Sequence, residues 1–170
     1  MEARVALVLT ALALLFLSAR TVATESDTAV SVSSEQLLAS ELSVGGVSID
    51  ATEARVVERL GEPSRRVETG DGTELHYPGL VVTVGWFESQ AQERQRGVFA
   101  LHGTGRKACT PRGLCPGMAA SAATRLYGPM KPFQRSYGAF LEYQPADTSC
   151  WLQVSAPGRV IESVGVACQP

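Results

Sequence analysis

The sequence predicts an α+β fold: two tandem helix-plus-antiparallel-meander repeats, with the helices packed on one face of a sheet. Three observations predict it. First, IDATEARVVERLGEP (49–63) and PGMAASAATRLYGP (116–129) align without a gap when Gly61 is set on Gly128. Asp50 then meets Gly117, Ala51 meets Met118, Val56 meets Ala123 and Leu60 meets Tyr127. Second, each stretch is followed by short runs with β-branched or aromatic residues separated by turn residues. Third, self-similarity along a chain sets its architecture before other signals do. The predicted organisation is a signal peptide at 1–23, a flexible leader with a short helix at 24–45, a first repeat at 46–102 and a second at 103–170.

The first segment has a basic residue, Arg4, then an apolar run over 5–17 and a small-residue site at Thr21-Val22-Ala23. That pattern reads as a secretory signal. The competing reading, a membrane anchor, needs a run long enough for about 30 Å of hydrocarbon. No cysteine near the cleavage site accepts a lipid, so the mature chain is expected to be soluble and without a stable membrane anchor. Export also bears on the four cysteines, Cys109, Cys115, Cys150 and Cys168. An even count in an exported chain argues for disulfides, and four cysteines allow three pairings. Cys109 and Cys115 bracket a turn-prone Thr-Pro-Arg-Gly-Leu, so we pair them with each other and Cys150 with Cys168. The metal-site alternative lacks the close cysteine pairs of a zinc ribbon, and no histidine follows Cys109. No metal and no cofactor is expected.

Charge is unevenly placed. Residues 24–102 carry 6 basic and 13 acidic side chains, about −7, whereas 103–170 carry 7 basic and 3 acidic, about +4. The mildly acidic balance argues against nucleic acid as a partner. The asymmetry either orients a charged partner or is ordinary variation on two solvated surfaces.

In chain order, Ser33 caps a short helix with Gln36 at the capping-box position, and Gly45-Gly46 stops it. Its apolar stripe is Leu37, Leu38 and Leu42. Asp50 caps the next helix with Glu53 at the reciprocal position. Val56, Val57 and Leu60 form its buried stripe, and Gly61 followed by Pro63 ends it. Strands are expected at 74–77, 80–87 and 98–102, with Pro78-Gly79 as a turn and 88–96 as an exposed hairpin end. Gly103-Thr-Gly105-Arg-Lys107 lacks the full spacing of a phosphate loop and reads as a linker. Met118, Ala119, Ala122, Ala123, Leu126 and Tyr127 sit at helical spacing until Gly128-Pro129. Strands at 134–137, 139–143, 149–154 and 159–166 follow.

The period-two pleat divides these strands into two faces. Leu80, Val82, Val84 and Trp86 point one way with Ala139, Leu141, Tyr143, Leu152 and Val154. Thr83, Phe87, Phe140, Glu142, Trp151 and Gln153 point the other way, giving aromatics among polar neighbours, a composition suited to binding protein. A covering loop or leader helix, or a register slip of one residue, would abolish such a patch. The search for chemistry yields less. His76 and His102 both fall in strand-like sequence and read as structural or surface residues. No nucleophile-elbow pattern is present, and the carboxylates are scattered.

A helix closed by Leu-Gly-x-Pro or Tyr-Gly-Pro, followed by a strand with Tyr before a small turn, resembles the SmpA/OmlA (BamE-like) domain family. Two such units in tandem resemble the β-lactamase inhibitory proteins, and the resemblance covers roughly 46–170. It implies a helix layer on a sheet and a non-enzymatic role binding another protein, in the cell envelope or outside the cell. The chain lacks the lipid-accepting cysteine of the envelope-assembly lipoproteins, and it places all its cysteines in one half. No catalytic residue is implied. The alternative function is a small exported hydrolase-type enzyme whose site converges from distant residues, for which a polar cleft holding His76 or His102 beside a carboxylate is the mark.

Overall fold

The computed structural model describes residues 36–88 and 94–169. The side chains of Phe87, Glu88, Arg94 and Gln95 also lie outside the description, as do the expected signal peptide and the first part of the leader. A 3-10 turn at Ala39–Glu41 precedes β1 (Ser43–Val44), β2 (Val47–Ser48) and α1 (Glu53–Leu60). Then come β3 (Arg65–Glu68), β4 (Thr73–Tyr77), β5 (Leu80–Glu88) and β6 (Arg94–Gly103). The rest is α2 (Ser121–Tyr127), β7 (Phe133–Arg135), β8 (Gly138–Tyr143), β9 (Cys150–Ser155) and β10 (Ser163–Cys168).

This corrects the expected fold. The chain is mainly antiparallel sheet, not two tandem helix-plus-meander repeats with a helix layer. Eight strands form one sheet in the order β3-β4-β5-β6-β10-β9-β8-β7, and β1 and β2 form a separate hairpin. The helices have only 8 and 7 residues, about two turns each. Two interactions override the helical pattern. β10 pairs with β6 from Val164↔Gly103 to Ala167↔Ala100, so one sheet joins strands of both expected repeats. Residues 118–120, expected to be helical, are drawn instead with Gly117 against 159–161. Gly117 and Ala120 donate to Ile161 and Arg159 carbonyls at 2.8 Å, Ile161 donates to Met118 O at 2.9 Å, and Ala119 bridges Val160.

The helix starts also differ from expectation. Thr52 caps α1, its hydroxyl accepting from Arg55 N at 3.3 Å. Asp50 instead turns at φ 68° and donates its N–H to Val98 O at 2.9 Å, while Val98 N donates to Ala51 O at 2.9 Å. The lead into α1 thus pairs with the part of β6 that β10 does not reach. The helix ends are as expected: Gly61 (φ 82°) and Gly128 (φ 89°) donate back to Val57 O and Thr124 O. Tyr77 donates its hydroxyl to Gly61 O at 3.1 Å, and Tyr143 donates to Gly128 O at 3.2 Å. Each tyrosine so ties a strand to the carbonyl that ends a helix.

The expected leader is partly core. Leu37 and Leu42 are buried while Leu38 is exposed, and Gly45-Gly46 turns a hairpin rather than stopping a helix. Val44 and Val47 are fully buried, with Val44 packed close to Gly103 on the sheet. Arg112 clamps this segment from the Cys109–Cys115 loop: it bonds both Glu41 carboxylate oxygens at 2.7 Å and the carbonyls of Gln36 and Leu126 at 3.2 and 3.1 Å. That hydrogen-bonded guanidinium holds the Glu41 carboxyl below its ordinary range.

The sheet buries one face. Leu75, Val82, Val84, Leu101, Leu152, Val154, Val164 and Val166 are at most 3% exposed. They share a core with Val56 of α1, Ala122 and Ala123 of α2, the β1–β2 hairpin and Leu114. Trp86 was expected to join them, yet it is 58% exposed. β4 pairs with β5 only as far as Val84, and β10 reaches only Ala100 on β6. Trp86 therefore lies on a two-stranded extension past its flanking strands. The strand β3, RRVE, was not anticipated at all; it pairs with β4 from Arg65↔His76 to Glu68↔Thr73.

Candidate functional site on the second sheet face

The other face of the same strands carries the residues that the pleat assigned to it. Register places Gln153 opposite Glu142 on β8 and opposite Gly165 on β10, and Trp151 opposite Ala167. Phe140 lies opposite Phe133, two residues from Glu142 on the same side of β8. Thr83, opposite Ala100 and Glu74, shares the face but sits three strands from Trp151, roughly 14 Å at the usual strand spacing. Phe87 lies on the β5–β6 extension, opposite Gln95, and its side chain falls outside the described residues. Of six candidates, four converge: Phe140, Glu142, Trp151 and Gln153.

They converge on residues that the strand pattern did not single out. Arg135 of β7 donates to Glu142 through Nε (2.9 Å) and a terminal nitrogen (2.8 Å). Its guanidinium carbon lies 4.5 Å from the Phe133 ring centroid and 5.0 Å from that of Trp151, a cation held against two aromatic faces. The paired carboxylate raises the Arg135 pKa further above its ordinary value. Gln153 Nε2 donates to Glu142 Oε1 at 2.8 Å and to the Tyr137 hydroxyl at 3.2 Å, and the Tyr137 ring packs 5.3 Å from Phe140. The signal for these partners was present in Phe133-Gln-Arg135, which alternates, and in Tyr137 at the hairpin tip.

The cluster is hydrogen-bonded across strands and partly exposed. Three strands and bidentate bonds fix the polar centre, while Phe133 is 53% exposed and Tyr137 66%. Beside it, near the Cys150–Cys168 end of β9 and β10, a cleft of about 370 Å³ is lined by Met130, Lys131, Phe133, Arg135, Trp151 and Gln169, among others. Trp151 lines this cleft with part of its side chain, while its Nε1 is buried and has no hydrogen-bond partner among the described residues. Among the described residues, α1, α2, the β1–β2 hairpin and Ala108 contribute to the core on the opposite face.

Cys109 bonds Cys115 and Cys150 bonds Cys168, leaving no free cysteine. No described helix is long and apolar enough to cross a membrane, and no cluster of potential metal ligands occurs among the described residues. Thr104 and Gly105, in the expected linker, donate to Gly79 O at 2.9 Å. Gly79 (φ 73°) approaches Gly105 so closely that a Cβ would lie 2.5 Å from its Cα. The segment is a backbone-to-backbone junction rather than a phosphate loop. His76 and His102 share the second face on either side of Val81. His76 Nε2 lies 2.9 Å from Glu74 Oε2, and Arg65 lies 3.4 Å from its Nδ1. Neither histidine lines the cleft beside Trp151, nor those beside α1 and α2.

No family model matches the chain, and no curated protein matches it. Among solved structures it is similar to a DUF4309 family protein, YjgB, from Bacillus subtilis, at 16% identity over 73% of this chain and 83% of that one, with a TM-score of 0.47. It is also similar to a cysteine-rich secretory protein from Staphylococcus aureus, at 12% identity over 71% of this chain and 45% of that one, with a TM-score of 0.40. Similarity at this level carries no argument about function.

Proposed function

We propose that this is an exported, non-enzymatic protein-binding module, secreted or periplasmic, that recognises another protein through the second face of its sheet. The observation that carries the reading is the cluster of Phe133, Arg135, Tyr137, Phe140 and Trp151 around the Glu142–Gln153 centre. Aromatic and arginine side chains are among those that most often dominate interface energy. Two disulfides fit export.

Sheet-edge pairing is a less suitable mode. β7 has three residues and follows Pro129, Lys131 and Pro132, while β3 is charged and follows Pro63. Short, charged, proline-flanked edges discourage strand addition, so recognition falls to the face. An inhibitor or an envelope assembly or maintenance factor would both use such a surface.

The test places a photo-crosslinking phenylalanine analogue at position 137 on this face, or at position 59 on the helix side, in cells that export the protein. Crosslinks to a partner are expected from position 137 and lost when Phe140→Ala is added. Equal crosslinking from position 59 would sink the assignment.

A further inference from the structure

The segment 36–48 is fastened by one loop. Among the described residues, the hydrogen bonds that join it to sequence-distant parts of the chain all run to 109–112. Gly45 N donates to Cys109 O at 2.9 Å. Arg112 donates to the Gln36 carbonyl and to both Glu41 carboxylate oxygens. The Arg112–Glu41 pair is largely buried, with side-chain exposures of 15% and 19%, so breaking it leaves two charges poorly solvated. The same guanidinium donates to Leu126 O and lies 5.0 Å from the Tyr127 ring centroid. It thereby fastens the segment across the end of α2, with Leu37 and Leu42 in the core.

A covalent ring sets Arg112 in place. Arg112 is the middle residue between Cys109 and Cys115, flanked by the exposed Pro111 and Gly113. Reaching the acceptors on Gln36, Glu41 and Leu126 at once costs an arginine its rotamer freedom, and the closed ring removes the backbone share of the ordering. The other bridge sits differently. Cys150 and Cys168 are paired within the β9–β10 ladder, and Cys150 is 8% exposed, whereas Cys109 and Cys115 are both half-buried. Thiol–disulfide exchange requires approach to a sulfur, so access favours attack on the ring.

We infer that the Cys109–Cys115 loop is a redox-sensitive latch on the strap 36–48, opened by an external dithiol. One thiolate of the dithiol attacks a sulfur of the pair, breaking the S–S bond and releasing the other cysteine as thiolate. The dithiol's second thiol then displaces the first cysteine and closes the reductant's own disulfide. Two electrons and two protons pass to Cys109 and Cys115. Freed of its ring, Arg112 lets go of Glu41 and Gln36, and the strap lifts Leu37 and Leu42 from the core.

The test treats the 15N-labelled protein with increasing dithiothreitol, maps the free thiols by alkylation and mass spectrometry, and follows amide resonances and heteronuclear NOEs. Cys109 and Cys115 should become alkylated while Cys150 and Cys168 remain joined. At that stage the NOEs of 37–46 should fall toward those of a mobile segment, and the resonances of Leu126 and Tyr127 should move. Amides of β4, β5 and β9 should keep their positions. Arg112→Ala, with both bridges intact, should give the same loss of NOE in 37–46, and dithiothreitol should add little to it. The latch is overturned if Cys150–Cys168 opens first or together with the ring, or if the ring opens only on unfolding. Unchanged NOEs in 37–46 after the ring has opened make it a brace and nothing more. Loss of all folded resonances at that stage means that the ring holds the whole fold, not the strap. An ordered strap in Arg112→Ala removes the guanidinium from the device and overturns it as well.

Discussion

The two faces of the eight-stranded sheet are made by alternate residues of the same strands, and they differ in almost everything else. On β9, Leu152 and Val154 are at most 1% exposed in the core, while their neighbours Trp151 and Gln153 are half-buried in a polar and aromatic cluster. The packed face is aliphatic and covered by α1, α2 and the β1–β2 hairpin. The other has small residues at its centre, Ala100, Gly165 and Ala167, and large ones around Arg135. Stability concentrates on one face, which leaves the other able to hold side chains that a core would not accept.

The largest expected effect breaks this contrast if it fails. Leu152→Ala should cost about 3 kcal/mol by urea unfolding, in the range for emptying a packed core site. Gln153→Ala, one residue away, should cost about 1 kcal/mol or less. Equal losses would mean that the second face is structural. Next come the disulfides. Cys150–Cys168 closes a sequence separation of 18 and Cys109–Cys115 one of 6. On loop entropy alone, replacing the first pair with alanines should cost about 3 kcal/mol and the second about 2. The gap should widen because Cys150 lies on the packed face; a larger loss from the shorter bridge would count against that placement.

A third effect tests the polar exception on the packed side. Glu41→Gln should lower stability near neutral pH by about 1–3 kcal/mol. The folded-state pKa of Glu41 lies below its ordinary 4.5, chiefly through the Arg112 hydrogen bonds. The stabilisation is therefore present above that value and lost as pH falls through the folded one. Melting curves from neutral to acid should show the two proteins converging; a difference that persists in acid would mean that charge is not its source. Asp50, whose pKa burial raises, acts in the opposite direction but is common to both proteins. The smallest effect returns to the second face. Trp151→Phe and Phe140→Ala should each change stability by about 1 kcal/mol or less, while Phe140→Ala weakens partner binding by roughly 2 kcal/mol if it is a hot spot. Unfolding of both variants would place these rings in the core.

Several features were readable because they depend on residues close in sequence. Gly61 and Gly128 end helices because they adopt positive φ more readily than other residues do. The alternation in 80–84 and 150–154 assigns side chains to faces because the pleat has a period of two. The cysteine pairing follows from a short turn-prone loop and two neighbouring terminal strands. These local rules placed Phe140, Glu142, Trp151 and Gln153 on one surface.

What tertiary structure alone decided lies between segments far apart in the chain. β3, with the charged sequence RRVE, is a strand because β4 offers it an edge, and nothing in its own residues demands that. Residues 118–120 have helix-compatible composition, but residues 159–161 capture their backbone groups first. The pairing of β10 with β6 makes one sheet where self-similarity alone suggested two units. Arg135 became the centre of the site only when β7 folded beside β8 and brought its guanidinium between Phe133 and Trp151. Local sequence determines turns, helix ends and the direction of side chains, because their energies arise within a few bonds. Which edges meet depends on competition among all available backbone partners, and that is settled only in three dimensions.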